Sequence, residues 1–369
     1  MGREIASAAA RWPHLTSMDT TLEVTAICSR SLPAEVEAWY RLMCPSISLA
    51  TRDYRELLAS PDVDAVYVAV PHNLHREIYT ACLGAGKHLL GEKPFGIDLD
   101  ANRAILDAAS KRSDLLVRCT SEFPFAPAVQ ALCRIVETGE LGRVIEVDAG
   151  FKHSSDLNPD KPINWKRMID RNGAYGVMGD LGMHVCHVPF RAGYRPVNVR
   201  AVLSNIMPER PDGSGGMVPC ETWDNAVLLT EAEDADGARF PMTLKTQRIA
   251  PGETNTWYLE ILGTRKSVRF STKTINLLQI LDYAGGDQNW CTIDVGHAVA
   301  FPSVTGKIFE FGFSDAMLQM MASYVAELSG RSFDSRFVHC VTPEETAMSH
   351  RLFTAALESQ AGASVVSVG

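Results

Sequence analysis

The sequence predicts an α/β protein with two domains. Its 369 residues are enough for two hydrophobic cores. In the first third of the chain, short apolar runs alternate with segments of helical periodicity, which is typical of parallel strand–helix–strand units. In the second half, strand-like runs follow one another without helices between them. That succession favours an α+β domain built on a large, open and mostly antiparallel sheet.

The clearest strand–helix–strand unit ends at Lys93. A continuous apolar run, residues 65–70, is followed by a helical pattern over 74–85 and a second apolar run, His88-Leu89-Leu90. Lys93 therefore comes just after the end of a buried parallel strand, and ligands of open α/β sheets bind beyond the carboxyl ends of the strands. The residues alone allow a catalytic lysine or a surface lysine equally well.

A second candidate site lies on a helix predicted over 179–190. Asp180 and His184 are four residues apart and share one face of that helix, and His187 lies three residues further on. The three side chains are close enough in sequence to bind one metal ion. Their spacing is not one of the strong zinc signatures, so no metal is expected. His187 is then interpreted as a contact to the substrate or as a support for its neighbours.

Two motifs in order carry a family resemblance. Glu92-Lys93-Pro94, with Val70-Pro71-His72-Asn73-Leu74-His75 before it, and Gly179-Asp180-Leu181-Gly182-Met183-His184 resemble the Gfo/Idh/MocA family of sugar and polyol dehydrogenases. The resemblance extends along the whole chain. It implies an N-terminal Rossmann domain over residues 1–122 and a C-terminal domain for substrate binding and oligomerisation over 123–369, with the hinge at Glu122-Phe123-Pro124.

The first residues depart from that pattern. Residues 2–12 predict a helix and 22–28 a strand, whereas a Rossmann domain begins with a strand and a glycine-rich turn. The resemblance implies that Gly2 stands at the last glycine of that turn. We expect a chain truncated at its N-terminus, most simply by a misplaced start codon. The alternative is a natural variant with a degraded cofactor site.

The cofactor is expected to be NADP or NAD, with NADP favoured. Ser29-Arg30 follows the strand predicted at 22–28, where an acidic residue would bind the ribose of NAD, and a guanidinium suits a 2′-phosphate instead. The alternative is an ordinary polar turn. The expected cofactor contacts, several of them implied by the resemblance, are Gly2, Ser29, Arg30, Pro71, His72, Asn73, His75, Glu92, Lys93 and Trp165. His75 could equally be a half-buried histidine of the helix.

The expected chemistry is hydride transfer from a secondary alcohol. Such a reaction needs a base for the hydroxyl proton and a cation or donor for the developing alkoxide. Lys93 and His184 can supply these two functions, with Asp180 orienting them, and the resemblance implies the same three residues. His184 is the expected base and Lys93 the hydrogen-bond donor, although either could remove the proton.

The substrate is expected to be a small, neutral sugar, polyol or glycoside. An indole beside polar side chains is a common way to hold a sugar ring. The segment Pro208-Glu209-Arg210-Pro211 resembles levoglucosan-dehydrogenase-like members of the family, which favours a sugar or glycoside. The expected contacts are Lys152, Trp165, His187 and Gln247, and His153 and Arg248 lie near them in sequence.

Composition excludes several other classes. The net charge of −9 argues against nucleic acid and anionic membranes as partners. Nine scattered cysteines without a Cys-x-x-Cys pair indicate reduced thiols and a cytoplasmic enzyme. A homodimer or homotetramer is expected through the open sheet. Two alternatives to a simple dehydrogenase stay open: a redox-assisted enzyme that cleaves or epimerises glycosides with a recycled cofactor, and a catalytically impaired, truncated relative.

Overall fold

The computed structural model describes residues 1–369, and its N-terminal part contains parallel strands with helices on both sides. Its helices are α1 (Gly2–Ala10), α2 (Ala34–Met43), α3 (Tyr54–Ala59), α4 (His75–Gly84) and α5 (Leu99–Ser110). Its strands are β1 (Ala26–Cys28), β2 (Leu49–Thr51), β3 (Ala65–Val68), β4 (His88–Gly91) and β5 (Val117–Cys119).

The parallel strands form two separate sheets. β1 pairs with β2, and β3, β4 and β5 form a three-stranded sheet in that order. β1 and β3 each have one edge without a strand partner. The strand predicted over 22–28 is shorter than expected, because only Ala26–Cys28 pairs with β2.

The C-terminal part is built on a nine-stranded sheet. Its helices are α6 (Pro127–Glu137), α7 (Ile169–Asn172), α8 (Met183–Arg191), α9 (Phe313–Leu328) and α10 (Pro343–Gly362). Its strands are β6 (Val144–Lys152), β7 (Arg195–Ser204), β8 (Glu209–Pro211), β9 (Met217–Pro219), β10 (Asn225–Glu233), β11 (Arg239–Gln247), β12 (Thr256–Gly263), β13 (Lys266–Ser271), β14 (Leu277–Asp282), β15 (Cys291–Asp294) and β16 (Val366–Ser367).

The order of the large sheet is β15-β14-β13-β12-β6-β11-β10-β7-β16. Every neighbouring pair is antiparallel except β6 and β11, so the predicted, mostly antiparallel sheet is confirmed. β8 and β9 form a separate short ribbon. One face packs under α6, α8 and α10 through residues such as Val147, Ala149 and Leu228. The other face is open and exposes Val202 and Leu229.

The last two helices return to the N-terminal strands. The methionines of α9 pack in one cluster with Ile5, Ala8 and Trp12 and with Leu90 of β4. The opposite face of β4 packs through Leu89 on α4 and α5. α9 comes after residue 122 in the sequence but packs against residues that come before it. The domain division at residue 122 therefore stays a prediction. No helix is both long and apolar enough to cross a bilayer.

Candidate active site

The turn after β4 holds Lys93 at the carboxyl end of the strand. The Lys93–Pro94 peptide bond is cis, and Gly96 has a φ of 131°. A Cβ at Gly96 would lie 2.8 Å from the backbone nitrogen of Asn102, so a larger residue would clash there. The Asn102 side chain donates to the Phe95 carbonyl at 3.0 Å, and His350 Nε2 lies 2.7 Å from the Pro94 carbonyl. These contacts from α5 and α10 fix the direction in which Lys93 leaves the strand.

Asp180 lies at the centre of a cluster of cations. Lys93 Nζ donates to Asp180 Oδ1 at 2.9 Å and to its carbonyl at 2.5 Å, and Lys166 Nζ donates to Oδ2 at 3.0 Å. Arg248 Nη2 lies 2.5 Å from Oδ2, outside hydrogen-bonding geometry. Burial alone would raise the pKa of this carboxyl, but Arg248, Lys166 and Lys93 hold it well below its usual range. Asp180 is therefore ionised at neutral pH.

The helix that carries Asp180 and His184 differs from the uninterrupted α-helix that the sequence predicts. Residues Met178–Gly182 form a π-helical turn that continues directly into α8. Such turns are rare and occur frequently at functional sites. Asp180 lies in the π turn and His184 in the first α turn. Asp180 accepts a hydrogen bond from Lys93, and the charge of Lys93 lowers the pKa of His184, so both residues lie near Lys93.

His184 is enclosed by aromatic rings. Its ring centroid lies 5.2 Å from that of Phe123 and 5.6 Å from that of Phe151. Nδ1 is a buried atom without a hydrogen-bond partner, and the same is not true of Nε2. Burial first, and then the charge of Lys93, lower the pKa of His184 well below its usual value. The imidazole is therefore neutral at neutral pH and can accept a proton.

Glu122 is a functional candidate that the sequence interpretation placed only at a hinge. Its Oε2 lies 3.8 Å from His184 Nδ1, and the residue is 6% exposed. Burial raises the pKa of this carboxyl to about 7. An acidic residue directly before the apolar Phe123-Pro124-Phe125 and after a predicted strand was the available signal. Glu122 therefore titrates near neutral pH beside a His184 imidazole that is neutral there.

Two of the expected cofactor residues lie next to this cluster. His72 is buried, with Nδ1 3.1 Å from the Asn172 carbonyl, and its ring centroid is 5.0 Å from that of Trp165. His72 also interacts electrostatically with Lys93 and Asp180. The loop over 153–176 therefore lies at the end of β3, and the contact of Trp165 with the cofactor stays a prediction.

Two others turn inward. His75 is fully buried: Nε2 lies 3.2 Å from the Val70 carbonyl, and Nδ1 accepts from the Gly96 amide at 3.3 Å. Its expected direct contact to the cofactor is wrong in this structure, because both ring nitrogens support the backbone. The Glu92 side chain accepts from the Tyr67 hydroxyl at 2.6 Å, which leaves its backbone as the part nearest the turn.

The residues expected at the adenosine end are accessible. Ser29 and Arg30 are exposed after β1, where Ser29 Oγ donates to the Ser31 carbonyl at 2.9 Å and Arg30 makes no ion pair. Gly2 begins α1, and a Cβ there would lie 2.9 Å from the Tyr40 hydroxyl. An exposed, unpaired guanidinium fits a phosphate-bearing ligand. Pro71 and Asn73 are placed at the end of β3.

Three expected substrate contacts are corrected by the structure. Lys152 and Gln247 end the paired strands β6 and β11, and successive side chains of a strand point to opposite faces of the sheet. Phe151 faces His184, so Lys152 points to the open face, where its Nζ lies 4.9 Å from the Tyr258 ring. Gln247 alternates in the same way with the buried Thr246 and Arg248.

His187 is the third correction. It is 3% exposed, and the charged groups that affect it most are Arg191 and Glu345, on the side of α8 that faces α10. Asp180 and His187 therefore do not converge, and no group of three metal-binding side chains is found. Arg248, which lies near Gln247 in sequence, does contact Asp180. Burial and then the charge of Arg248 lower the pKa of His153 to about 4.

The fold and the site together define a Rossmann-type oxidoreductase with a lysine, an aspartate and a histidine between two domains. The family model described as "Oxidoreductase family, NAD-binding Rossmann fold" matches residues 4–119. The model described as "GFO/IDH/MocA C-terminal domain" matches residues 129–269. The chain belongs to the Gfo/Idh/MocA oxidoreductase family.

Among curated relatives, levoglucosan dehydrogenase of Pseudarthrobacter phenanthrenivorans is 28% identical over 240 residues, covering 63% of this chain and 61% of the relative. D-xylose 1-dehydrogenase (NADP(+)) of Hypocrea jecorina is 28% identical over 172 residues, covering 45% and 43%. A structure of levoglucosan dehydrogenase in complex with NADH and levoglucosan superposes with a TM-score of 0.86 at 25% identity, covering 100% of this chain and 96% of that one. The sequence match to the first relative spans about three-fifths of its length.

Proposed function

We propose that the protein is an NAD(P)-dependent dehydrogenase that transfers a hydride between a secondary alcohol of a sugar, polyol or glycoside and a nicotinamide cofactor. The observation that carries the proposal is the convergence of Lys93, Asp180 and His184, with Lys93 Nζ 2.9 Å from Asp180 Oδ1 at the end of a parallel strand. The relatives named as levoglucosan and xylose dehydrogenases support a polyhydroxylated substrate.

A bound nicotinamide would supply the hydride chemistry, and the chain's own residues supply the proton chemistry. Lys93 donates a hydrogen bond to the substrate oxygen and stabilises the alkoxide as it forms. Asp180 keeps Lys93 in place. His184, neutral and enclosed by Phe123 and Phe151, takes the hydroxyl proton at Nε2. When ionised, Glu122, 3.8 Å from Nδ1, would favour the imidazolium.

NADP is the proposed cofactor, ahead of NAD. The exposed Arg30 can bind a 2′-phosphate bidentately, and no carboxylate pairs with it. Ser29, Gly2, Pro71, His72, Asn73, Glu92 and Trp165 are proposed to line the remainder of the dinucleotide, of which His72 and Trp165 lie nearest the catalytic residues.

The test is turnover of a polyol and sugar panel, followed by nicotinamide absorbance. Lys93→Met and His184→Asn should each lower kcat by about 10²-fold or more, the usual scale of lost acid–base help. Lys111→Met and His14→Asn are matched controls, because both residues are exposed and lie outside the open face of the large sheet. Near-normal turnover in both site variants would remove these residues from the mechanism. Product formed without net cofactor reduction would favour the redox-assisted alternative.

We also propose a homodimer or homotetramer through the open face of the large sheet. Val202 and Leu229, 58% and 53% exposed, lie on that face, which no helix of the chain covers. Sedimentation of the protein as a monomer at all concentrations would contradict this proposal.

A further inference from the structure

The catalytic cluster carries more positive than negative charge. Lys93, Lys166 and Arg248 all contact the single carboxylate of Asp180. The nearest additional carboxylate, Asp156, is 2.9 Å from Lys161 and only 3.9 Å from Arg248, so it brings a cation of its own. Four cations thus face two carboxylates, an excess of two positive charges.

Neighbouring groups respond to this excess. Besides burial, the charge of Lys93 lowers the pKa of His184, and that of Arg248 lowers the pKa of His153. Burial lowers the pKa of Lys166 most, and the charges of Arg248 and Lys93 lower it further. The charge of Asp180 acts in the opposite direction. Glu122 lies on the far side of His184, where burial favours its protonated form, so it offsets little of the excess.

Arg248 has donors that nothing in the chain satisfies. The residue is 1% exposed, and its Nε and Nη2 atoms are buried without hydrogen-bond partners. Nη2 still forms an ion pair with Asp180 Oδ2, so Nε is the donor that has no partner of any kind, and buried polar groups are almost always paired. Lys166 reaches the same carboxylate oxygen, and its side chain is 36% exposed, so the cluster is open to a ligand on that side. An oxyanion would satisfy Arg248 and neutralise the excess.

We propose that the substrate carries an oxyanion group, the carboxylate or phosphate of a sugar acid or sugar phosphate, which Arg248 and Lys166 bind beside the reacting alcohol. The inference rests on the proposed function and replaces the neutral substrate expected from the sequence. Lys93 is left for the reacting oxygen. A guanidinium binds either oxyanion through two parallel hydrogen bonds, so the two sources share one chemistry.

Calorimetric titration of the protein without cofactor distinguishes the sources. The probes are D-glucose, D-glucuronate and D-glucose phosphorylated at its primary hydroxyl. We expect at least one anionic sugar to bind about 10-fold or more tightly than glucose, with an advantage that falls as salt rises. The anion that binds more tightly identifies the source. Glucose binding as tightly as both anions would overturn the proposal.

Variants locate the effect. Arg248→Gln should weaken binding of the preferred anion about 10-fold and leave glucose unchanged, and Lys166→Met, at a partly exposed position, should act in the same direction. Arg239→Gln, on the exposed start of β11, is the matched control. Equal losses for anion and glucose in both site variants, with circular dichroism unchanged, would overturn the assignment. The titration measures binding and needs no turnover, so it tests the oxyanion proposal alone. Failure of the dehydrogenase proposal would appear in the turnover assay, as absence of nicotinamide reduction with every substrate.

Discussion

Replacement of the buried Glu122 should reveal a stability that depends on pH. Burial raises the pKa of this carboxyl from 4.5 to about 7, so the folded state binds its proton more tightly than the unfolded state does. Its contribution to stability is fully present below the unfolded pKa and is lost as the pH rises through the folded one. Glu122→Gln has no such proton, so the variant should gain stability relative to the parent as the pH rises.

The size of the effect follows from the two pKa values. Each unit of pKa difference corresponds to about 1.4 kcal/mol of stability. The pKa values of the unfolded and folded states, 4.5 and about 7, differ by about 2.5 units, and most of this difference takes effect between about pH 5 and about pH 8. The difference in unfolding free energy between variant and parent should therefore shift by about 2–3 kcal/mol in favour of glutamine over that interval. Glu92, Lys93 and His184 face Glu122 and are present in both proteins, so their own titration largely cancels in the difference.

The assay is urea unfolding of both proteins at about pH 5 and about pH 8. Glu310→Gln is the control, because Glu310 is exposed and its replacement should give the same small difference at both pH values. A difference between Glu122→Gln and the parent that does not change with pH would show that Glu122 is not protonated in the folded protein. The argued electrostatics of the His184 site would then be wrong.

Two other substitutions test the ion pairs around Asp180 and the proposed cofactor site. Asp180→Asn removes the only carboxylate that contacts Lys93, Lys166 and Arg248 together, and should lower the unfolding free energy by about 3 kcal/mol, as is usual when one partner of a buried ion pair is removed. Urea unfolding at neutral pH measures it, and an unchanged midpoint would contradict the ion-pair network. Arg30→Ala should weaken NADP binding about 10-fold with little effect on NAD, as measured by fluorescence titration. Equal effects on both cofactors would exclude a 2′-phosphate contact.

Local patterns in the sequence were sufficient for most elements of the fold. The apolar run over 65–70 forms β3, the helical pattern over 74–85 forms α4, and the run at 88–90 forms β4, each within two residues of the predicted bounds. Lys93 follows β4 as expected, because a buried parallel strand is recognisable from its continuous apolar run. α2 and β2 were not predicted: α2 has no buried residue and β2 has only three residues, so neither produces a strong periodic signal.

The tertiary structure decided which side chains meet. Lys152, Gln247 and Arg248 are neighbours at the ends of two strands, and the two-residue period of a strand sends the first two to the open face and only Arg248 to Asp180. The sequence shows that period but not which phase of it faces α8. Likewise, helical spacing placed Asp180, His184 and His187 together, and only packing against α10 turned His187 towards Glu345.

The sequence by itself determined the family, the two kinds of sheet and the lysine, aspartate and histidine that characterise the site. Those features depend on short segments whose residue types are sufficient to recognise them. The charge balance around Asp180 and the proximity of Glu122 to His184 depended on residues far apart in the chain. Distances between such residues are set by packing, which no local pattern records.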